Sequence, residues 1–416
     1  MRRIFCFLLS ICFIFSIVFC VSVNAAVVKE DEDVQITLST TVSAENQKQL
    51  EKLPVEIKAK SAILIDALTG TVLLEYNPDL KLFPASVTKV MTMLLVAEAI
   101  ANKKISLTDK VTCSANASSK GGSQIWLKEG EQMTVDELLR ATAIGSANDA
   151  ATLLGEYISG SEEAFISLMN ERASQLGMKN TYFVNATGLD DTTDEHLTTA
   201  RDIAIMSREL LKYTFIRKYT TVWMDSLRGG ATELVNTNKL VRFYNGTTGL
   251  KTGTTAKAGC CISASAKRDD LHLIAVVMGS GNSNDRFNTA KAMLSWGFSN
   301  YTVYQPEVDK STITEIPVIS GLKESVGVVV PQPSPLLIKK GEAEKVRVDV
   351  EICENVEAPV LENQTLGKVV VYIGDKAVNE YKILSCEGVE KINVFSAMLR
   401  LLNFVSKGNG AYPFGN

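Results

Sequence analysis

The sequence predicts an α+β fold: an antiparallel sheet with a cluster of helices, followed by a small all-β domain and a C-terminal amphipathic helix. Three observations predict it. Strand patterns lie at both ends of the region from about residue 60 to 300 with helical periods between them, unlike the alternation of a βαβ chain. From about Val303–Glu307 to Glu390 only short apolar runs between turns remain. The last segment, Lys391–Lys407, returns to a helical period.

The elements follow in chain order. Arg2 and Arg3 lead into an apolar run from Ile4 to Val23, and Val23-Asn24-Ala25 offers a cleavage site. Residues 1–25 therefore read as a secretory signal peptide. A retained membrane anchor is the competing reading, because the run is nearly long enough to span. Residues 26–58 are polar and acidic, a leader to the folded part. Ser61 to Tyr76 reads as a hairpin turning at Thr69-Gly70. Pro84-Ala85 precedes a run with Val87, Val90, Met91, Leu94, Leu95, Ala97 and Ile100 apolar, a helical period with Pro at its start. Thr134-Val135-Asp136-Glu137 is a capping box opening a second helix, at whose end Ser146-Ala147-Asn148 lies. Helices over Asp149–Ile158 and Glu162–Leu176 follow, with Gly177 as a stop. Asn185–Glu195 is a polar loop, and Thr198-Thr199 opens a helix to about Tyr213. Strands at Gly249–Gly253, Cys260–Ser265 and Leu271–Met278 and a helix over Asn284–Phe298 close this part. The domains are thus 59–303 and 304–390, with the tail at 391–416.

Composition narrows the function classes. With 416 residues, 46% of them hydrophobic, the chain can bury a large core and two domains. The net charge is −4, and it becomes more negative once Arg2 and Arg3 leave with the signal, so no nucleic-acid partner is expected. Of eight cysteines, Cys113, Cys260, Cys261, Cys353 and Cys386 follow the signal. An odd number without regular spacing is not a disulfide framework, and these thiols read as small core residues. His196 and His272 are the only histidines and read as structural. No Cys/His cluster has metal-ligand spacing, so neither metal nor other cofactor is expected.

Three short motifs carry the chemistry. In Ser86-Val87-Thr88-Lys89 the serine opens a helix and Lys89, three residues on, shares its face. A serine hydroxyl is a poor nucleophile until a base takes its proton. Lysine is such a base only with a lowered pKa, and a helix N-terminus and a second nearby cation both push it down. Ser-x-x-Lys alone is weak, since roughly one or two copies occur by chance in a chain this long; Ser320-Gly321-Leu322-Lys323 is one. Ser-x-Asn is weaker still, because Ser114-Ala115-Asn116 and Ser280-Gly281-Asn282 also match. The signal is the order: Ser86 opening a helix, then Ser146-Ala147-Asn148 behind another, then Lys251-Thr252-Gly253 entering an apolar strand.

In that order the motifs resemble the serine penicillin-binding and β-lactamase superfamily. The nearer likeness is to the D-alanyl-D-alanine carboxypeptidases, the low-molecular-mass penicillin-binding proteins, over residues 60 to about 390. Gly188-Leu189-Asp190, Ala200-Arg201-Asp202 and Gly249-Leu250 add to it. The resemblance implies a β-lactamase/transpeptidase-like domain and a role for each residue. Ser86 would attack the carbonyl between two D-alanines and carry the acyl ester. Lys89 would accept its proton, Ser146 would relay one to the leaving D-alanine, and Asn148 would position Lys89 and the substrate amide. Lys251 would pair with the terminal carboxylate and help keep Lys89 neutral, with Thr252 and Thr254 bonding the same carboxylate. Gly253 would leave room for substrate lying alongside as an added strand. The backbone N–H groups of Ser86 and Thr254 would form the oxyanion hole. Some carboxypeptidases carry histidine where Thr254 stands, so any imidazole role there is absent.

The partners implied are peptidoglycan stem peptides ending in D-Ala-D-Ala and β-lactams as acylating inhibitors. The protein would be exported to the cell wall or the outer face of the cytoplasmic membrane, and the tail helix would lie on the membrane surface. Its apolar side packing on the β domain or on another subunit is the alternative. Two rival functions use the same fold. A β-lactamase of class A places a glutamate in the loop before the Lys-Thr-Gly strand, and Asn185–Asp190 shows no clear counterpart. A non-catalytic penicillin sensor has no need of a lysine base.

Overall fold

The computed structural model describes residues 53–309 and 315–407. The signal peptide read over 1–25 and most of the leader lie outside the described residues, as do residues 408–416 of the tail. The predicted hairpin is β1 (Ser61–Asp66) and β2 (Val72–Tyr76). A 3-10 turn over Ala85–Thr88 leads directly into α1 (Lys89–Ala101). At the capping box, Thr134 Oγ1 accepts from Glu137 N and Glu137 accepts from Thr134 N, starting α2 (Val135–Ala143). Next come α3 (Asn148–Ser159), α4 (Glu162–Gln175) and α5 (Ala200–Lys212). Gly160 and Gly177, at φ 86° and 76°, end the first two of these.

The stretch after α5, which shows no clear period, contains a hairpin of β3 (Met224–Leu227) and β4 (Thr232–Val235). Then come β5 (Thr247–Thr255), β6 (Gly259–Arg268), β7 (Leu271–Ser280) and α6 (Ser283–Asn300). The main sheet runs β2-β1-β7-β6-β5, every pair antiparallel. Strands from the two ends of the region thus meet at β1 and β7, and β5 is left at an edge.

An antiparallel sheet with one wet face alternates apolar and polar residues. β1 and β7 do not, because both faces are covered. Ile63, Ile65, Ile274 and Val276 join a core with the buried faces of α1 to α5. Leu64, Leu273, Ala275 and Val277 pack with Phe287, Met293 and Leu294 of α6. Helix α1 is the centre of the first core. Its period suggests one apolar face, but every residue from Lys89 to Ala97 is buried, as expected of a helix surrounded by others. Each large apolar side chain buried there contributes roughly 1.5–3 kcal/mol.

Beyond α6 the chain is all β, as expected. β8 (Tyr301–Tyr304), inside which Val303 lies, pairs across to a later strand. The following strands are β9 (Glu315–Ile319), β10 (Ser325–Val329), β11 (Leu336–Lys339), β12 (Val346–Ile352), β13 (Val356–Glu357), β14 (Thr365–Ile373) and β15 (Lys376–Ser385). β8 pairs with β11, and the others form a sheet in the order β12-β14-β15-β10-β9-β13. The tail helix is α7 (Val394–Lys407). The cysteines do not all lie in the core. Cys113, Cys260 and Cys261 are buried thiols, but Cys353 and Cys386 are exposed, because each follows the end of its strand at the rim of the second sheet.

Candidate active site

Three chain segments meet at the 3-10 turn. Ser86 lies in that turn, Lys89 is the first residue of α1, Asn148 the first of α3, and Lys251 sits within β5. The close approach of β5 gives Gly253 a second reason besides room for substrate. A Cβ there would lie 2.8 Å from both Pro84 O and Ser86 N. The space its hydrogen leaves is occupied by the nucleophile's own turn. Gly188 closes the turn from the other side: its φ is +88°, and a side chain would collide with Ala85 O. Ser146 is buried with φ +62°, a left-handed conformation uncommon for a non-glycine residue.

The geometry about Lys89 Nζ decides what the lysine does. It lies 2.5 Å from Asn148 Oδ1, 2.9 Å from Thr187 O and 3.1 Å from Ser86 Oγ. Asn148 is oriented by its own amide, whose Nδ2 donates to Gly121 O at 2.7 Å, so its Oδ1 faces the lysine. A carbonyl oxygen accepts and cannot donate. The two protons of a neutral amine therefore go to Asn148 Oδ1 and Thr187 O. The lone pair is left toward Ser86 Oγ, the one neighbour with a proton to give.

Electrostatics disfavour the protonated form of that amine. Lys89 is fully buried, and its pKa is held well below the usual lysine value, first by loss of hydration and then by the Lys251 cation, against a smaller opposing pull from Asp149. Burial, and then the Arg286 guanidinium, lowers Lys251 to about 7. Arg286 is buried under β5, where Nη1 donates to Gly253 O, Thr254 Oγ1 and Cys261 O at 3.0–3.2 Å. Three basic side chains thus lie in series, Arg286 depressing Lys251 and Lys251 depressing Lys89. Thr252 Oγ1 donates to Thr237 Oγ1 at 2.7 Å, and Thr254 is exposed at the strand edge.

The decoy motifs lie elsewhere. Ser320 sits at a turn of the second sheet with φ +58°, and Lys323 beside it pairs with Glu387. Ser114 caps a short helix and Asn282 caps α6. His272 Nε2 meets Thr248 Oγ1 at 2.8 Å. His196 is nearer the site than its structural reading suggests. Its Nδ1 accepts from Val184 N at 3.1 Å, so its Nε2 carries the proton toward Thr88 Oγ1, 2.8 Å away. Sequence reasoning missed Arg286, Thr187 and Asp149. Arg286 had a signal: it falls on the stripe of Ala290, Met293, Leu294 and Gly297 buried in α6, and an arginine on an apolar face is unusual. The carbonyl of Thr187 has none, because any residue carries one.

A family model for D-alanyl-D-alanine carboxypeptidase matches residues 43–282, and one for the C-terminal domain of penicillin-binding protein 5 matches residues 298–391. The chain belongs to the D-alanyl-D-alanine carboxypeptidase family. It is 41% identical to D-alanyl-D-alanine carboxypeptidase DacF of Bacillus subtilis, over 83% of this chain and 89% of that one. Identity to DacC of Escherichia coli is 33%, over 84% and 88%. Penicillin-binding protein 5 of Haemophilus influenzae superposes with a TM-score of 0.70 at 31% identity, covering 82% of this chain and 99% of that structure. Penicillin-binding protein D2 of Listeria monocytogenes, solved in an ampicillin-bound form, is 30% identical with a TM-score of 0.54, over 59% and 100%. The enzyme is a serine-type D-Ala-D-Ala carboxypeptidase, and its substrate, the end of a peptidoglycan stem peptide, lies outside the cytoplasm.

Proposed function

We propose that Ser86 is the nucleophile of this carboxypeptidase and neutral Lys89 its base. The observation that carries the assignment is Lys89 Nζ 3.1 Å from Ser86 Oγ with its two other partners both carbonyl oxygens; a neutral amine so placed turns its lone pair to the serine. The proton of Ser86 passes to Lys89 as Oγ attacks the carbonyl between the two D-alanines. The bond to the departing D-alanine breaks, its nitrogen takes a proton through Ser146, and water then hydrolyses the acyl ester. Asn148 holds Lys89 and the substrate amide. Lys251, Thr252 and Thr254 receive the terminal carboxylate, and the substrate lies along the free edge of β5 beside Gly253. The N–H groups of Ser86 and Thr254 meet the developing oxyanion. A β-lactam would acylate the same serine.

Mass spectrometry of the peptide acylated by penicillin tests this directly. Ser86→Ala should abolish both labelling and D-alanine release, whereas Ser320→Ala should change neither; persistent labelling of Ser86→Ala would end the reading.

Residues 1–25 would export the chain, and α7 would hold it at the membrane surface. Phe395, Met398, Leu399, Leu401 and Leu402 are exposed on α7, and Arg400 Nη2 donates to Leu322 O. Among the described residues no helix is long and apolar enough to cross a membrane. A mostly apolar helix with a narrow, weakly cationic face lies in the interface and favours anionic lipid. Co-sedimentation with anionic vesicles, with and without residues 391–416, checks it: equal binding by both forms, or none by the full chain, would leave only a packing helix.

A further inference from the structure

Trp126 stands 73% exposed with φ +59°. A bulky residue in the left-handed region is an outlier, and an indole in water adds a second cost. The protein imposes both. The buried Asp149 carboxylate accepts from Ile125 N at 3.1 Å and from Leu127 N at 3.0 Å, clamping the chain on each side of Trp126. The same segment is tied to the catalytic motif, because Ser123 O accepts from Asn148 N at 2.7 Å and Gly121 O accepts from Asn148 Nδ2. The backbone that carries the indole is therefore tied to Asn148, which bonds Lys89.

Beside it is a groove of about 820 Å³ that Trp126 lines with Lys128, Glu129, Glu131, Arg228 and Glu233. Arg228, also left-handed at φ +53°, ties the groove's sides together. Its Nη1 donates to Ile125 O at 2.8 Å and its Nε to Glu131 Oε1 at 2.6 Å. Its buried Nη2 has no hydrogen-bond partner among the described residues.

We propose that this groove is a saccharide subsite that takes the glycan end of the peptidoglycan substrate, with Trp126 as its stacking platform. A sugar ring has an apolar C–H face that suits a flat indole and a rim of hydroxyls that suits carboxylates and a guanidinium. The volume lies in the ~300–1,000 Å³ range of sites for multi-ring ligands and far exceeds what one amino-acid side chain of the stem fills. Ile125 and Trp126 of the groove lie on the segment that Asn148 and Asp149 hold by hydrogen bonds, and the substrate carries sugar at the root of its stem. The proposal rests on the carboxypeptidase activity and adds to it a specificity-determining residue.

The test compares D-alanine release from two substrates sharing one pentapeptide, the disaccharide-pentapeptide and the sugar-free pentapeptide. The enzymes are wild type, Trp126→Gly and Trp126→Phe. Glycine adopts φ +59° without strain, so Trp126→Gly removes the indole while favouring the fold; its Tm and penicillin acylation check that. The ratio of kcat/KM for the two substrates should fall about tenfold in Trp126→Gly, the worth of one good aromatic contact. The fall should come through KM, and Trp126→Phe should retain most of the ratio. An unchanged ratio in Trp126→Gly, whether both substrates slow or neither does, overturns the subsite, as does a wild-type preference for the sugar-free peptide. Failure of wild type to release D-alanine from either substrate would instead strike at the carboxypeptidase reading.

Discussion

Asn148→Asp changes one atom type and tests the base directly. The new carboxylate keeps an acceptor beside Lys89 Nζ, where Asn148 Oδ1 now stands at 2.5 Å, but makes it an anion. Two unit charges 4 Å apart interact by about 4 kcal/mol at an effective dielectric near 20, and this pair is closer. At 1.36 kcal/mol per pK unit, that raises the pKa of Lys89 by roughly 3 or more. The lysine then keeps its proton to higher pH, and the protonated form has no lone pair for Ser86. The second oxygen also faces Gly121 O, which now accepts from Nδ2, and opposing two acceptors costs about 1–3 kcal/mol. The assay is the rate of acylation by labelled penicillin from pH 6 to 10. At pH 7 it should fall at least a hundredfold, and the acid limb of the profile should move up by about three pH units, with activity recovering in alkali. A rate within threefold of wild type at pH 7, with the acid limb unmoved, would refute the neutral-lysine mechanism.

Three further outcomes are expected. Lys251→Ala removes a charge-assisted contact worth roughly 1.5–3 kcal/mol and should slow acylation about tenfold to a hundredfold or more. It also removes a cation that depresses Lys89, so the acid limb should shift upward; kcat/KM within twofold of wild type would exclude Lys251 from the site. Gly188→Ala places a Cβ against Ala85 O at φ +88° and should cost at least 1–3 kcal/mol of backbone strain, seen as a lower Tm together with lost acylation; an unchanged Tm would show the turn to be adaptable. His196 and His272 are lowered from 6.5 to about 4, chiefly by burial. The native state keeps them neutral while the unfolded chain takes up protons near 6.5, so their stability is present above that pH and is lost as pH falls toward 4. Urea unfolding should show a loss of about 2 kcal/mol per histidine between pH 7 and 4.5, reduced in His272→Gln; a flat curve would mean the rings are hydrated.

Most elements were legible because burial repeats at each element's own period. The capping box at Thr134 and Glu137 marked the start of α2, and the strands around Lys251 and Cys261 carried continuous apolar text. The β3–β4 hairpin was not legible. Only Leu227 and Leu234 of its two strands are deeply buried, too few to set a period of two. The full burial of α1 was hidden for a different reason: its period is the same whether one face is covered or all of them.

The sequence by itself determined the order and spacing of the Ser86, Ser146 and Lys251 motifs, and with them the family and the reaction. Tertiary structure alone decided which atoms face Lys89 Nζ and therefore where its lone pair points. It also set the nucleophile's turn against Gly253, and brought Arg286 under β5. The physical reason is separation along the chain. Lys89 meets Asn148 across 59 residues and Thr187 across 98, and burial changes its pKa only when all of those segments close around it. Local periodicity records which side of a helix is inside, but not which distant carbonyl will be waiting there.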